Sequence, residues 1–181
     1  MAHLAFLDES GFMLTPTVRR TWAPRAQTPI LFHRYSHEKI SAISAVTVSP
    51  VRERLGLYCH LHFTNISHVE VTAFLRLLLQ HLRGNIILIW DGGSIHKGPA
   101  LNQLLSRNPR LQVERFPAYT PELNPDEQVW NHLKARLANG CPLSTDDLMR
   151  DLSAVLRRTR RSPALLRGFI LESDLPAFLS P

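Results

Sequence analysis

The sequence predicts an α/β fold in which a mixed five-stranded sheet is flanked by helices. Short apolar runs bounded by turn residues, among them Leu4-Ala5-Phe6-Leu7 and Ile86-Ile87-Leu88-Ile89-Trp90, have the length and composition of buried strands. The later runs alternate with amphipathic stretches that carry helix start signals, and strands alternating with helices imply parallel crossover units. Both quoted runs lead straight into an aspartate, Asp8 and Asp91, so the same pattern that predicts the sheet delivers acid to its edge.

In chain order, the first strand is predicted over 3–8, with Glu9-Ser10-Gly11 as the turn after it. Residues 17–32, rich in arginine and proline and carrying Trp22, read as an irregular basic insertion or short hairpin. Strands at 40–48 and 56–63 follow, separated by the polar turn Ser49 to Arg54. Ser67 and Glu70 have capping-box spacing, Val71, Phe74, Leu75, Leu78 and Leu82 form one stripe, and Gly84 can stop that helix. A strand over 86–91, a shorter helix near 98–106 and a last strand from Leu111 to Phe116 complete the alternation.

Asn124 suits an N-cap, Pro125 the first helical position and Glu127 the third. The apolar residues of that helix, Val129, Trp130, Leu133 and Leu137, share one side, which leaves Glu127 at the rim beside Asn131 and Lys134. A further helix near 145–160 packs Leu148, Leu152 and Val155 and ends in an arginine cluster, and Ser162-Pro163 opens a short final helix.

Asp8, Asp91 and Glu127 therefore lie on three elements that a compact sheet can bring together. A carboxylate trio of that kind suits hard divalent cations, which can activate a hydroxyl and stabilise charge on a phosphodiester. Each acid also has an ordinary structural reading: Asp8 could open a turn, Asp91 could end a strand before Gly92-Gly93, and Glu127 could complete a capping box with Asn124. Glu9 points away from Asp8 if the strand continues, and Asp126 is expected to favour the helix N-terminus, so both stay outside the ligand set. His60 and His62 share a strand face but lack a third ligand at zinc spacing. His96, a short turn beyond Asp91, could contact phosphate or a bound water, or cap the following helix.

The chain has 21 Lys and Arg against 15 Asp and Glu, a net charge of +6 and a pI near 10.0, which favours a polyanionic partner. Arg19, Arg20 and Arg25 near Trp22 could track a DNA backbone, and Lys134 joins them as a candidate DNA contact; the arginines at 157–161 could serve only their helix dipole. Two distant cysteines, Cys59 and Cys141, form no disulfide framework or zinc pattern and fit a reducing cytoplasm. No apolar stretch approaches bilayer-spanning length, so no membrane association is expected. At 181 residues one domain, 1–181, is expected.

Four segments carry a resemblance: Phe6-Leu7-Asp8-Glu9-Ser10-Gly11-Phe12, Arg20-Thr21-Trp22-Ala23-Pro24-Arg25, Trp90 to Lys97, and Tyr119-Thr120-Pro121-Glu122-Leu123-Asn124-Pro125-Asp126-Glu127-Gln128-Val129-Trp130. Together they resemble the catalytic DDE domain of bacterial insertion-sequence transposases of the mariner-like superfamily. The resemblance implies a ribonuclease H-like fold and DNA cleavage and strand transfer with two Mg2+ or Mn2+ ions. Asp8, Asp91 and Glu127 match the acidic triad. It also implies transposon-end and target DNA as partners, a homo-oligomer on DNA and a bacterial cytoplasmic location. Ala26 stands where the family usually has glycine. Members carry helix-turn-helix domains ahead of the first catalytic strand, which are absent from 1–181 and are expected from a separately encoded half. A ribonuclease H-like nuclease without strand transfer, or a catalytically silent DNA-binding remnant, are the alternatives.

Overall fold

The computed structural model describes residues 1–15, 17–30 and 36–179. Five strands, β1 His3–Met13, β2 Lys39–Val48, β3 Leu55–His62, β4 Ile86–Trp90 and β5 Leu111–Arg115, form one sheet in the order β3-β2-β1-β4-β5. β1, β2 and β3 pair antiparallel as a meander, whereas β1, β4 and β5 run parallel, so the sheet is mixed as expected. Helices α1 His68–His81 and α2 Pro99–Arg107 cover one face, and α3 Pro125–Leu137, α4 Thr145–Arg160 and α5 Pro163–Leu171 cover the other.

Strand alternation divides the core between these two layers. From β1, Ala5 and Leu7 pack under Val71, Phe74, Leu75 and Leu78 of α1, while Phe6 and Phe12 pack against Val129, Trp130 and Leu133 of α3. α1 begins as its sequence predicts, with Ser67 Oγ accepting the Val69 N–H at 3.2 Å and Glu70 Oε2 accepting the Ser67 N–H at 2.8 Å. Its other end is closed by Arg110, whose guanidinium donates to the carbonyls of Leu79, Leu82 and Gly84, the last with φ at +88°.

The first strand departs from expectation. Glu9-Ser10-Gly11 is not a turn: β1 runs on to Met13 because its backbone keeps pairing with β2, Glu9 opposite Ile43 and Met13 opposite Lys39. β4 pairs only with His3 to Phe6, so beyond that point β1 has a neighbour on one side alone. The cleft opens where β4 stops.

Within 17–30 the chain is irregular, with a turn at Arg25-Ala26 and no hairpin; Leu31 and Phe32 of the expected insertion lie outside the described residues. Ala26 has φ at +66°, in the left-handed region where glycine is unstrained, which accounts physically for the glycine usual there.

Ser67→Ala removes the N-cap acceptor of α1 and is expected to lower stability by about 1 kcal/mol, roughly 2–4 °C in a domain of this size. Urea and thermal denaturation of both forms measure this.

Candidate active site

The parallel register pairs Phe6 with Ile89, and the same offset continued two residues sets Asp8 abreast of Asp91. Asp8 is thus a mid-strand residue at the point where the β4 partner is lost, and Asp91 is the first residue past β4. α3 crosses above them. Asn124 caps it, its Oδ1 accepting the Asp126 N–H at 3.2 Å, and Pro125 occupies the first turn. The Asn124 N–H goes instead to the Pro121 carbonyl, at 3.0 Å, which leaves Glu127 free of a capping-box role. Glu127 sits half-buried at the rim, as its helical angle requires. Asp8, Asp91 and Glu127 line one cavity of about 620 Å³, together with Arg115, Phe116, Tyr119 and Thr120.

One contact ties helix to strand: Trp130 Nε1–H donates to Asp8 Oδ2 at 3.0 Å, with the indole edge-on against Phe12. Burial and then the charge of Glu127 raise the Asp8 carboxyl to about 7, with Glu9 pushing the same way; the backbone N–H of Glu9 and the Trp130 bond oppose them only in part. Among the described residues no three His, Cys, Asp or Glu side chains close into a group able to hold an ion by themselves. Asp91 Oδ1 is turned back to accept the Gly93 N–H at 2.8 Å.

Asp126 corrects an expectation. Its side chain does not serve the helix N-terminus: it is 0% exposed, with Oδ1 accepting the Ser44 hydroxyl at 2.7 Å and Oδ2 buried without a hydrogen-bond partner. Burial raises its pKa well above the carboxylate range against the Ser44 bond, and the charges of Asp8 and Glu9 add to the rise. The signal was present in the sequence, because Asp126 stands three, four and seven residues before Val129, Trp130 and Leu133, on the buried stripe itself.

Glu9 points to the opposite sheet face from Asp8, as alternation demands, and meets His96 there, Oε1 to Nε2 at 3.1 Å. The His96 ring stacks on Trp90 with centroids 4.2 Å apart, and its Nδ1 lies 3.1 Å from both the carbonyl and Oδ1 of Asp91. Burial works to lower its pKa, but the Glu9 hydrogen bond and charge, helped by Asp91, carry it above the usual value. His96 does not line the cavity; it contacts Glu9 and Asp91 from behind it.

The basic candidates are placed apart from the acids. Arg19, Arg20 and Arg25 are exposed on a segment latched by Asn139, whose Oδ1 and Nδ2 bond the Arg19 N–H and carbonyl at 2.9 Å each. None of them lines the cavity. Lys134 lies over the Phe12 ring at 5.9 Å and lines a separate groove with Arg136, a position created by the unexpected extension of β1. Arg115, which sequence reasoning passed over, is the one Lys or Arg among the described residues that lines the cavity. Its signal was position: it ends β5, parallel to and beside β4.

Folded Asp8 keeps its proton to about 7, whereas an unfolded aspartate releases it near 3.9. The stability it contributes is therefore complete below about pH 4 and lost as pH rises through about 7. Without divalent cations the melting temperature is expected to fall between about pH 5 and pH 8, less steeply in Asp8→Asn. Trp130→Phe, which removes a bond that lowers this pKa, is expected to shift the Asp8 titration upward, followed by carboxyl NMR.

Residues 3–150 match the sequence family described as DDE superfamily endonuclease. No curated protein gives a significant sequence match. Among solved structures the chain is similar to the Mos1 strand transfer complex (17% identity, TM-score 0.64, 93% of this chain and 50% of that one) and to the mariner Mos1 paired end complex with Mg (15%, 0.65, 95% and 53%). It is also similar to the catalytic domain of Mos1 mariner transposase (14%, 0.59, 93% and 74%). The chain spans about half the length of the first two. At these identities the likeness is one of fold, the ribonuclease H-like sheet and its helices. With the family match covering most of its length, the chain belongs to the DDE superfamily endonucleases.

Proposed function

We propose that this chain is the catalytic domain of a mariner-like transposase that cuts DNA and joins the freed end to a target. The observation that carries the reading is the gathering of Asp8, Asp91 and Glu127 around one cavity in which the Asp8 carboxyl is raised to about 7. A carboxyl raised by burial and then by the charge of Glu127 gains from a divalent cation beside it, and an all-oxygen donor set suits magnesium or manganese. The structural relatives include Mos1 complexes with Mg, with Mn and with a left transposon end.

In this reading Asp8, Asp91 and Glu127 hold two Mg2+ or Mn2+ ions. Held by these three carboxylates, such cations would supply activation of the attacking hydroxyl and stabilisation of charge on the oxygens around phosphorus. Trp130 fixes Asp8 Oδ2, His96 braces Asp91, and Arg115 offers positive charge to a phosphate at the cavity mouth. In the first reaction a water oxygen bonds phosphorus as the bond to the 3′ oxygen breaks; in the second, the freed 3′-hydroxyl bonds a target phosphorus as the target phosphodiester opens. Positioning and electrostatics supply the catalysis, with no covalent protein intermediate.

The reading extends to partners. The exposed Arg19, Arg20 and Arg25, and Lys134, contact DNA, and a homo-oligomer assembles on it. A bacterial cytoplasmic setting fits free thiols at Cys59 and Cys141 and described helices none of which is long and apolar enough to cross a membrane.

Magnesium- or manganese-dependent nicking of duplex DNA is expected, reduced on the order of 10²-fold or more in Asp8→Asn, Asp91→Asn and Glu127→Gln with folding retained by circular dichroism. Equal cleavage by all four proteins would assign the activity elsewhere. Cleavage without joining of a 3′-hydroxyl would favour a plain nuclease, and DNA binding without cleavage a silent remnant.

A further inference from the structure

The last turn of α4 and its C-cap carry Arg157, Arg158, Arg160 and Arg161, all exposed. One cation is enough to complement a helix C-terminus, where each contributes about 0.3–1 kcal/mol and the effect ends within a turn. Four repel one another. None of them forms an ion pair with a carboxylate among the described residues, whereas Arg150, on the same helix, pairs with Asp147 at 2.7 Å.

Helical spacing sends Arg158 one way, to the groove of Lys134 and Arg136, and Arg157 and Arg160 another, to β3. β3 is the edge of the sheet, with β2 as its one strand neighbour. Along this edge lie two shallow clefts of about 370 and 350 Å³ that share Cys59, His60 and Arg160; Arg157 and His62 border one, His81 the other. His60 faces Phe74 of α1 while Arg160 comes from the opposite layer, so side chains of both layers meet at this strand. Burial, then the charge of His62 and lastly that of Arg160, hold His60 below the usual histidine range. Ser44 pairs with both Asp8 and Cys59, so this edge lies two strand spacings from Asp8, roughly 10 Å.

We infer that the β3 edge, through Arg157, Arg160 and Arg161, is a second DNA-backbone surface, holding duplex phosphates beside the catalytic cavity. Unpaired guanidiniums in an open, shallow setting suit phosphate oxygens, which they bind without reading sequence. The surface rests on the proposed DNA chemistry for its purpose, but its binding is separable from catalysis. A duplex reaching the cavity and this edge together would lie across the α3–α5 face of the sheet.

The test is DNA binding by the full chain in EDTA across a salt series, comparing wild type with Arg157→Gln/Arg160→Gln/Arg161→Gln and the corresponding triple lysine variant. Each lost phosphate contact removes about 0.9 from the slope of log K against log salt, so the glutamine variant should lose roughly 2–3, and the lysine variant should keep the wild-type slope. An unchanged slope in the glutamine variant overturns the proposal and leaves an acidic polypeptide as the fitting partner. Self-association of that variant in sedimentation, again with unchanged slope, also overturns it and makes the arginines guards of an edge strand. A lowered slope in a chain that never cleaves DNA would leave this surface standing while the transposase reading fell. Metal-dependent cleavage with an unchanged slope would do the reverse.

Discussion

The bond from Trp130 Nε1 to Asp8 Oδ2 ties the first turns of α3 to the central strand, and the arrangement of the cavity depends on it. Asp8 stands in the middle of β1 between core residues, where a carboxyl is tolerated only if it is hydrogen-bonded or protonated. Trp130 supplies the hydrogen bond, and its ring carries α3 down onto Phe12. That docking brings Glu127, nearly a full turn earlier, to the rim above Asp8. One side chain therefore does two things: it satisfies a buried acid, and it sets where a second acid must be.

A second acid below the first deepens this arrangement. Ser44 is the cross-strand partner of Asp8 and donates to Asp126, so a row from β1 through β2 reaches back to the same helix turn that presents Glu127. Burying Asp126 without full hydrogen bonding costs stability unless it stays protonated, the direction in which burial pushes it. On the other face, Glu9 and His96 form a pair that supports Asp91 from behind while Trp90 stacks on the imidazole. Adjacent residues of one strand thus serve opposite faces of the sheet, one within the cavity and one behind it.

The positive charge is organised separately from the acids. Arg115 is the one arginine among the described residues that borders the cavity, while Arg19, Arg20 and Arg25, the Lys134 groove and the arginines ending α4 lie away from it. Such a division suits a substrate much larger than the reacting phosphate. Contacts away from the chemistry can hold a polyanion in place without competing with cations for the carboxylates.

Much of this was legible in the residues. Period-two and period-3.6 patterns place the five strands and the main helices, and the Ser67 and Asn124 caps mark two starts, because local hydrogen bonding and burial periodicity act within a few residues. Asp8, Asp91 and Glu127 could be named for the same reason, each marked by its place at the end of an apolar run or the start of a helix. The length of β1 could not, since polar Glu9-Ser10-Gly11 is held as strand by pairing with residues some thirty positions on. Nor could the Trp130–Asp8, Ser44–Asp126 and Glu9–His96 contacts, which join residues 122, 82 and 87 positions apart. Such contacts follow from strand register and helix docking, and those are decided by packing the whole chain rather than by any segment of it.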